Sequence, residues 1–498
     1  MPDQFDSEIV IGLVSAVGTE NNRVIALLKE RLGLAGYTVH DIKLSKDVIP
    51  LLCPVPEPGR CDYTRVTNLM DAGNKARADC GNDSVLALGA ASAIYAKRAK
   101  EEAANPKAYI IDSLKRPEEV SQLRSIYPSG FVLVGIHEDE ARRKKHLTAV
   151  RGMAEEHANN LIRRDGEESK VPHGQRVNKT FHMADFFVRI PADQDQLRGD
   201  VNRMVELWFG NPFITPTFDE HAMFLAFAAA LRSADMSRQV GAVVTLNSQI
   251  LSTGANDCPK AGGGLYWPVR MPDSRCIDDH PTGRDFRRED GDSNRAEQLR
   301  MIERIVQEGS KPEYDLDGVK LRQLLDKGPL RDLTEFGRVV HAEMEALLCC
   351  SRNGLSTVGT TLYCTTFPCH NCAKHIVAAG VSRVVYVEPY PKSKALQFHD
   401  DSIIPSGENT TDEEKRVRFD AFVGIGPRRF FDLFSMHLGS SYELIRKDEN
   451  GKRVDWRIEQ SQLRIQMKPT SYLEEETVAS TLFNTALNRI RPNEVTDE

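Results

Sequence analysis

Strand-length apolar runs that alternate with helix-length amphipathic segments are what most constrain residues 1–209. Glu8 to Ser15 is an apolar strand running into a glycine-containing loop, after which Val24, Leu27, Leu28 and Leu32 recur at helical spacing. Further strand-like runs lie at Lys107 to Asp112, Gly130 to Ile136 and Asp185 to Ile190, with helical patterns at Pro117 to Ile126 and Glu138 to Val150 between them. The alternation predicts an α/β fold in which helices cover both faces of a parallel sheet. A last amphipathic helix, Asp193 to Phe209, precedes a Gly-, Pro- and Thr-rich stretch, which places a linker at 210–218. Residues 1–209 are therefore expected to form one domain.

At 498 residues the chain is about three times a typical domain of ~150, so further domains must follow. Residues 219–487 are assigned to a second domain and 488–498 to a polar tail. The second domain opens with a helix at Glu220 to Ala234 and strands at Val240 to Leu246 and Ile250 to Gly254, with an insertion over about 258–337. No uncharged apolar run approaches the ~18 residues needed to cross a bilayer. The acidic start, with no Lys or Arg before its first apolar stretch, is not expected to be a signal peptide. Against 72 acidic residues stand 65 basic ones, a net charge of −7, so the whole chain does not read as a nucleic-acid binder. The basic run Arg142 to Lys145 reads as a solvated helix face. Ten cysteines are too sparse for a disulfide scaffold, which points to a reducing cytoplasm and, where cysteines cluster, to metal.

One cluster stands out. His341 and, farther on, Cys369 and Cys372 offer one imidazole and two thiolates, a three-ligand set suited to zinc that leaves the fourth tetrahedral position for water. His341 and Cys369 each read as a helix start, where the positive helix end favours a thiolate. Glu343, two residues after the histidine, can shuttle protons without ligating the metal. A structural zinc ribbon would show a second CxxC pair, and none is present. The H-x-E and P-C-x-x-C pair is the signature of zinc nucleobase deaminases. Cys258, Cys276 and His280 in the insertion are either a second, structural zinc site or unpaired loop residues, and the latter is the favoured reading. Cys349, Cys350 and Cys364 read as core thiols flanking the site.

HAEMEAL at His341 to Leu347 and PCHNCAKHIVAAG at Pro368 to Gly380 resemble the cytidine and deoxycytidylate deaminase superfamily. The resemblance extends to SRQVGAVV at Ser237 to Val244 and LSTGAN at Leu251 to Asn256, covering most of 219–400. It implies a cytidine-deaminase-like α/β/α domain, with Asn256 on the sugar hydroxyl and Ala342 among the substrate-binding residues. Glu345 departs from the asparagine that many deoxycytidylate deaminases carry near the substrate phosphate, and so puts the usual monophosphate recognition in doubt.

In the first domain Gly12, Ser15, Gly18 and Thr19 fall between a strand and a helix, the context of a phosphate-cradling P-loop. The spelling departs from a Walker A loop, with Thr19 at the lysine position and Glu20 at the magnesium-hydroxyl position. Nucleotide binding without efficient hydrolysis is the expectation, with Asp112 placed to hold Mg²⁺. SLKRPEE at Ser113 to Glu119 resembles nucleotide and dephospho-coenzyme A kinase folds.

A P-loop kinase-like domain in front of a deoxycytidylate deaminase domain resembles the bacterial anti-phage dCTP deaminases. That resemblance implies zinc-dependent conversion of dCTP and dCMP to the deoxyuridine forms and depletion of dCTP during infection. It also implies control by the N-terminal domain, through a regulatory nucleotide such as ATP or dTTP and in some systems an inhibitory RNA. A homo-oligomer, commonly a hexamer in deoxycytidylate deaminases, is expected, with no membrane partner. The alternative is a deaminase that edits tRNA or single-stranded DNA, but this would need a basic, aromatic-lined channel that an acidic chain with 7% aromatics does not suggest.

Overall fold

The computed structural model describes residues 7–55, 62–99, 106–168, 173–191, 193–271, 275–289, 291–314, 316–333, 335–390, 393–405, 416–439 and 442–490. Two units result: Met1–His221 together with Ala421–Glu498, and Ala222–Asp420.

In the first unit, β1 (Ile9–Ser15), β2 (Thr38–Lys43), β3 (Lys107–Asp112), β4 (Phe131–His137) and β5 (Phe186–Arg189) are parallel in the order β2-β3-β1-β4-β5, the expected parallel sheet. Every residue of β1 is buried, as an unbroken apolar strand requires when helices cover both faces. The helix Asn21–Leu34 contributes Val24, Ile25, Leu27, Leu28 and Leu32 to the core. From β1 the chain crosses over β3 to reach β2, whereas from β3 it crosses to β4. The winding therefore reverses between β1 and β3, and at such a point a crevice opens beyond the carboxyl ends of the strands. The expected helix Glu138 to Val150 is present as Glu140–Lys145 followed by a wider π-turn over His146–Val150.

The second unit is built on β6 (Gly241–Leu246) and β7 (Gln249–Ala255), an antiparallel hairpin. Its insertion carries a small hairpin, β8 (Val269–Arg270) and β9 (Ile277–Asp278), and the helices Ser293–Gly309 and Gly318–Lys327. The main sheet continues with β10 (Thr361–Thr366), antiparallel to β6, then β11 (Arg383–Glu388), β13 (Val417–Ala421) and β12 (Ile403–Pro405). Two glycines bring helices onto this sheet at unusually short range. A Cβ on Gly241 would lie 1.9 Å from the Ala226 carbonyl oxygen, and one on Gly254 would lie 2.1 Å from that of Ala342. Only glycine permits such contact, and at Gly254 the helix backbone concerned lies between His341 and Glu343.

The insertion is pinned at its root. Asp257 and Val340 exchange backbone hydrogen bonds of 3.3 and 3.0 Å, so the chain leaves just after Asn256 and returns just before His341.

The C-terminal boundary differs from the expected 219–487. From Ala421 onward the chain joins the first unit: β14 (Gly424–Ile425) adds antiparallel to β5, and the helix Pro469–Ile490 packs on the helix Val85–Ala99. Buried polar contacts tie this return in place, for Arg98 pairs with both Glu8 and Glu476, and Tyr127 donates to Glu476 at 2.6 Å. Residues 491–498 of the expected tail lie outside the described residues.

Candidate metal centre and active site

His341 is the N-cap of the helix Ala342–Arg352, and Cys369 is the N-cap of His370–Ala378. Both helices therefore start at one place, with the Cys369 sulfur accepting the Cys372 amide N–H at 3.4 Å. His341 Nδ1 lies 3.2 Å from Cys372 Sγ and 3.4 Å from Cys369 Sγ. Zinc–sulfur and zinc–nitrogen bonds of about 2.3 and 2.0 Å in a tetrahedron span ligand edges of about 3.5 Å, so these donors fit a zinc ion. Among the described residues this trio is the group of His, Cys, Asp and Glu whose ligand atoms gather within 4.8 Å. Cys258, Cys276 and His280 do not gather. Cys258 Sγ instead donates to Asp285 at 3.5 Å, and His280 Nδ1 accepts the Thr282 N–H at 3.3 Å.

The electrostatics follow from that proximity. A hydrogen bond from Cys372 and the adjacent His341 hold the Cys369 thiol down to about 3, while the Cys372 thiol is pushed up by its contact with Cys369 and by burial. His341 is raised to about 9, chiefly by its hydrogen bond with Cys369. Glu343, only 4% exposed, is raised above the ordinary carboxylate range by burial, against the pull of His341. A carboxyl so perturbed beside a cluster of metal-ligating groups is a candidate for acid–base work. The thiol of Cys364, fully buried and pushed up by burial, lies against it.

The remaining expected substrate residues are placed as follows. Asn256 is buried, its Oδ1 accepting the Val240 N–H at 2.7 Å and its Nδ2 donating to the Arg238 carbonyl at 2.8 Å. This leaves one amide hydrogen for a substrate and gives the side chain a second task, holding the 238–240 loop. Ala342 is fully buried in the first turn of its helix, where the backbone N–H has no intrahelical acceptor. Glu345 is buried and ion-paired with Arg352 at 2.5 Å, so its charge is neutralised within the protein. Sequence reasoning missed Arg238, whose guanidinium stands 4.8 Å over the Tyr390 ring and whose charge is felt at His341 and Cys364. It lies within the SRQVGAVV stretch, but the partner ring is 152 residues away.

In the first unit the expected loop residues separate. Gly12 is inside β1, paired with Ile111 and Leu133, where a Cβ would come within 2.6 Å of Leu114 and 2.8 Å of Phe131. Close packing accounts for that glycine, and it is not part of a phosphate loop. Ser15 ends β1, and Gly18 turns with φ +86. Asp112 ends β3 and accepts Asn21 Nδ2 at 2.9 Å.

Residues 216–388 match the model of the cytidine and deoxycytidylate deaminase zinc-binding region. The second unit is thus of the zinc-region deaminase class. The deoxycytidylate deaminase of Enterobacteria phage T2 is 32% identical over 172 residues, 34% of this chain and 79% of that protein. That of Mycobacterium phage D29 is 31% identical over 173 residues, 34% of this chain and 94% of that protein. A crystal structure of the dCMP deaminase from cyanophage S-TIM5 in complex with dCMP and dUMP is 20% identical, over 42% of this chain and 99% of that one, with a TM-score of 0.24. The chain belongs to the deoxycytidylate deaminase family and is a deaminase enzyme. No helix among the described residues is long and apolar enough to cross a membrane.

Proposed function

We propose that this enzyme hydrolyses the exocyclic amine of deoxycytidine nucleotides, converting dCTP to dUTP and dCMP to dUMP, and thereby drains dCTP as a defence against phage. The observation that carries the chemical part is the buried Glu343 beside the His341, Cys369 and Cys372 trio. Those three residues would hold zinc, which when bound supplies the Lewis acidity that makes water nucleophilic at neutral pH. Glu343 accepts a proton from the attacking water and passes it to N3 of the cytosine. It then carries the second proton to the departing amine, so that C4–NH₂ and water become C4=O and ammonia. Asn256 offers its remaining amide hydrogen to the sugar, and the first-turn N–H of Ala342 is available to the base. Arg238, at the end of the loop that Asn256 holds, supplies a cation for the substrate phosphate. The pairing of Glu345 with Arg352 removes the repulsion that its charge would otherwise offer.

The test is ammonia release and product identity with dCTP, dCMP, deoxycytidine, CTP and a cytosine-containing oligonucleotide. The proposal expects dUTP and dUMP as products. Reaction of the oligonucleotide alone would make the enzyme an editor of polynucleotides and end the dCTP-depletion reading.

A further inference from the structure

The first unit contains a cavity of about 220 Å³ that the deaminase chemistry does not use. It is lined by the end of β1 and the segment after it, from Ser15 to Thr19, and by Ser113 and Lys115 after β3. These are the two strands between which the winding reverses, and ligands of open α/β sheets bind in that crevice.

The cavity chemistry is not that of a phosphate cradle. Two of the loop amides are already taken by the protein's own carboxylates, Val17 N–H by Asp165 Oδ2 and Glu20 N–H by Glu138 Oε2, each at 2.9 Å. A phosphate placed in the loop would meet those two carboxylates. The cations along the wall are engaged as well. Arg77 pairs with Glu119 at 2.8 Å and Arg151 with Asp62 at 3.3 Å, while Lys115 donates to the Ser15 carbonyl at 2.7 Å. With its charges paired, the site favours a neutral occupant.

Two features identify that occupant. One wall is apolar, formed by Ile49, Leu69, Met70 and Leu86. The same cavity is lined by Asp165, 7% exposed, whose Oδ1 is buried without a hydrogen-bond partner, its cation Lys115 standing 3.9 Å away. Gln175, 8% exposed, adds an amide to the same lining. Apolar walls with a few convergent polar groups are the mark of a small-molecule site, and this volume lies below the ~300–1,000 Å³ of drug-sized pockets. An unsatisfied buried carboxylate oxygen is costly and calls for a donor. We infer that this cavity is a binding site for an uncharged nucleoside-type heterocycle that presents an amine or ring N–H to Asp165 Oδ1, and that it rejects the corresponding triphosphate.

The inference is independent of the deaminase reading and is tested apart from it. Guanosine, adenosine, GTP and ATP are titrated calorimetrically into the zinc-loaded full-length protein. One of the nucleosides is expected to bind once per chain, with its triphosphate at least tenfold weaker. Asp165→Asn, which keeps an acceptor for the Val17 amide, is expected to weaken the nucleoside at least tenfold while ammonia release from dCMP stays unchanged. Should that variant fold poorly, Met70→Trp fills the cavity from its apolar lining and must abolish binding. Tighter binding of a triphosphate, strengthened by Asp165→Asn, would overturn the inference in favour of a phosphate site. Failure of both nucleosides to bind would overturn it outright and leave the deaminase proposal untouched.

Discussion

Replacing Gly254 with alanine tests whether the site depends on the sheet behind it. The added methyl would stand 2.1 Å from the Ala342 carbonyl oxygen and 2.5 Å from the Ala346 nitrogen, both backbone atoms of the helix that starts at His341. No side chain can swing aside to relieve this contact. Reaching the 3.4 Å at which ordinary contact begins requires the helix to move about 1.3 Å from β7. Overpacking of this kind costs about 1–3 kcal/mol, or roughly 2–4 °C in Tm per kcal/mol for a unit of this size. The larger effect is on turnover, because Glu343 moves with the helix and a misplacement of about 1 Å costs on the order of a hundredfold in rate. Ammonia release from dCMP or dCTP and a thermal melt, measured on the same preparation, give both numbers. A variant that melts normally and turns over within twofold of wild type would refute the claim that this close approach positions the site.

Three further outcomes are expected. Arg238→Ala should raise KM for dCMP and dCTP by roughly 10- to 150-fold, the worth of a charge-assisted hydrogen bond of about 1.5–3 kcal/mol, and leave KM for deoxycytidine unchanged; steady-state kinetics with the three substrates decide it. Gly199→Ala, at an exposed helical position with nothing within 4 Å of the new Cβ, should stabilise the first unit by about 0.4–1 kcal/mol, read from its denaturant midpoint. Cys258, raised to about 11 by burial and by the Asp285 carboxylate, should resist iodoacetamide at pH 8 and label only as the pH approaches that value, whereas exposed Cys276 labels readily; peptide mass mapping separates them.

The candidate metal centre was legible in the sequence because its chemistry prescribes residue types at short spacing. His341 and Glu343 are two residues apart and Cys369 and Cys372 three, so each pair sits on one helix start. The sheet of the first unit was legible for a similar reason, since buried parallel strands are spelled as continuous apolar runs such as Ile9 to Val14. Features made by distant residues were not. β14 is only two residues long and gains its place by pairing with β5, so nothing local announces that the chain returns to the first unit after Asp420. Gly12 was misread because a glycine needed for packing against Leu114 and Phe131 is spelled like one needed for a loop. The carboxylate that caps Val17 comes from Asp165, 148 positions away, and no motif encodes that pairing.

The central claim is that Glu343 moves the protons of a hydrolytic deamination at a zinc site formed by His341, Cys369 and Cys372. Its most direct test compares zinc content and dCMP and dCTP deamination in the wild-type enzyme and in Glu343→Gln. The account predicts an equal zinc stoichiometry of one per site in both proteins, with the variant slowed by about 10²–10⁴-fold, the usual contribution of a positioned acid–base group. A Glu343→Gln enzyme that keeps its zinc and turns over at near wild-type rate would contradict it.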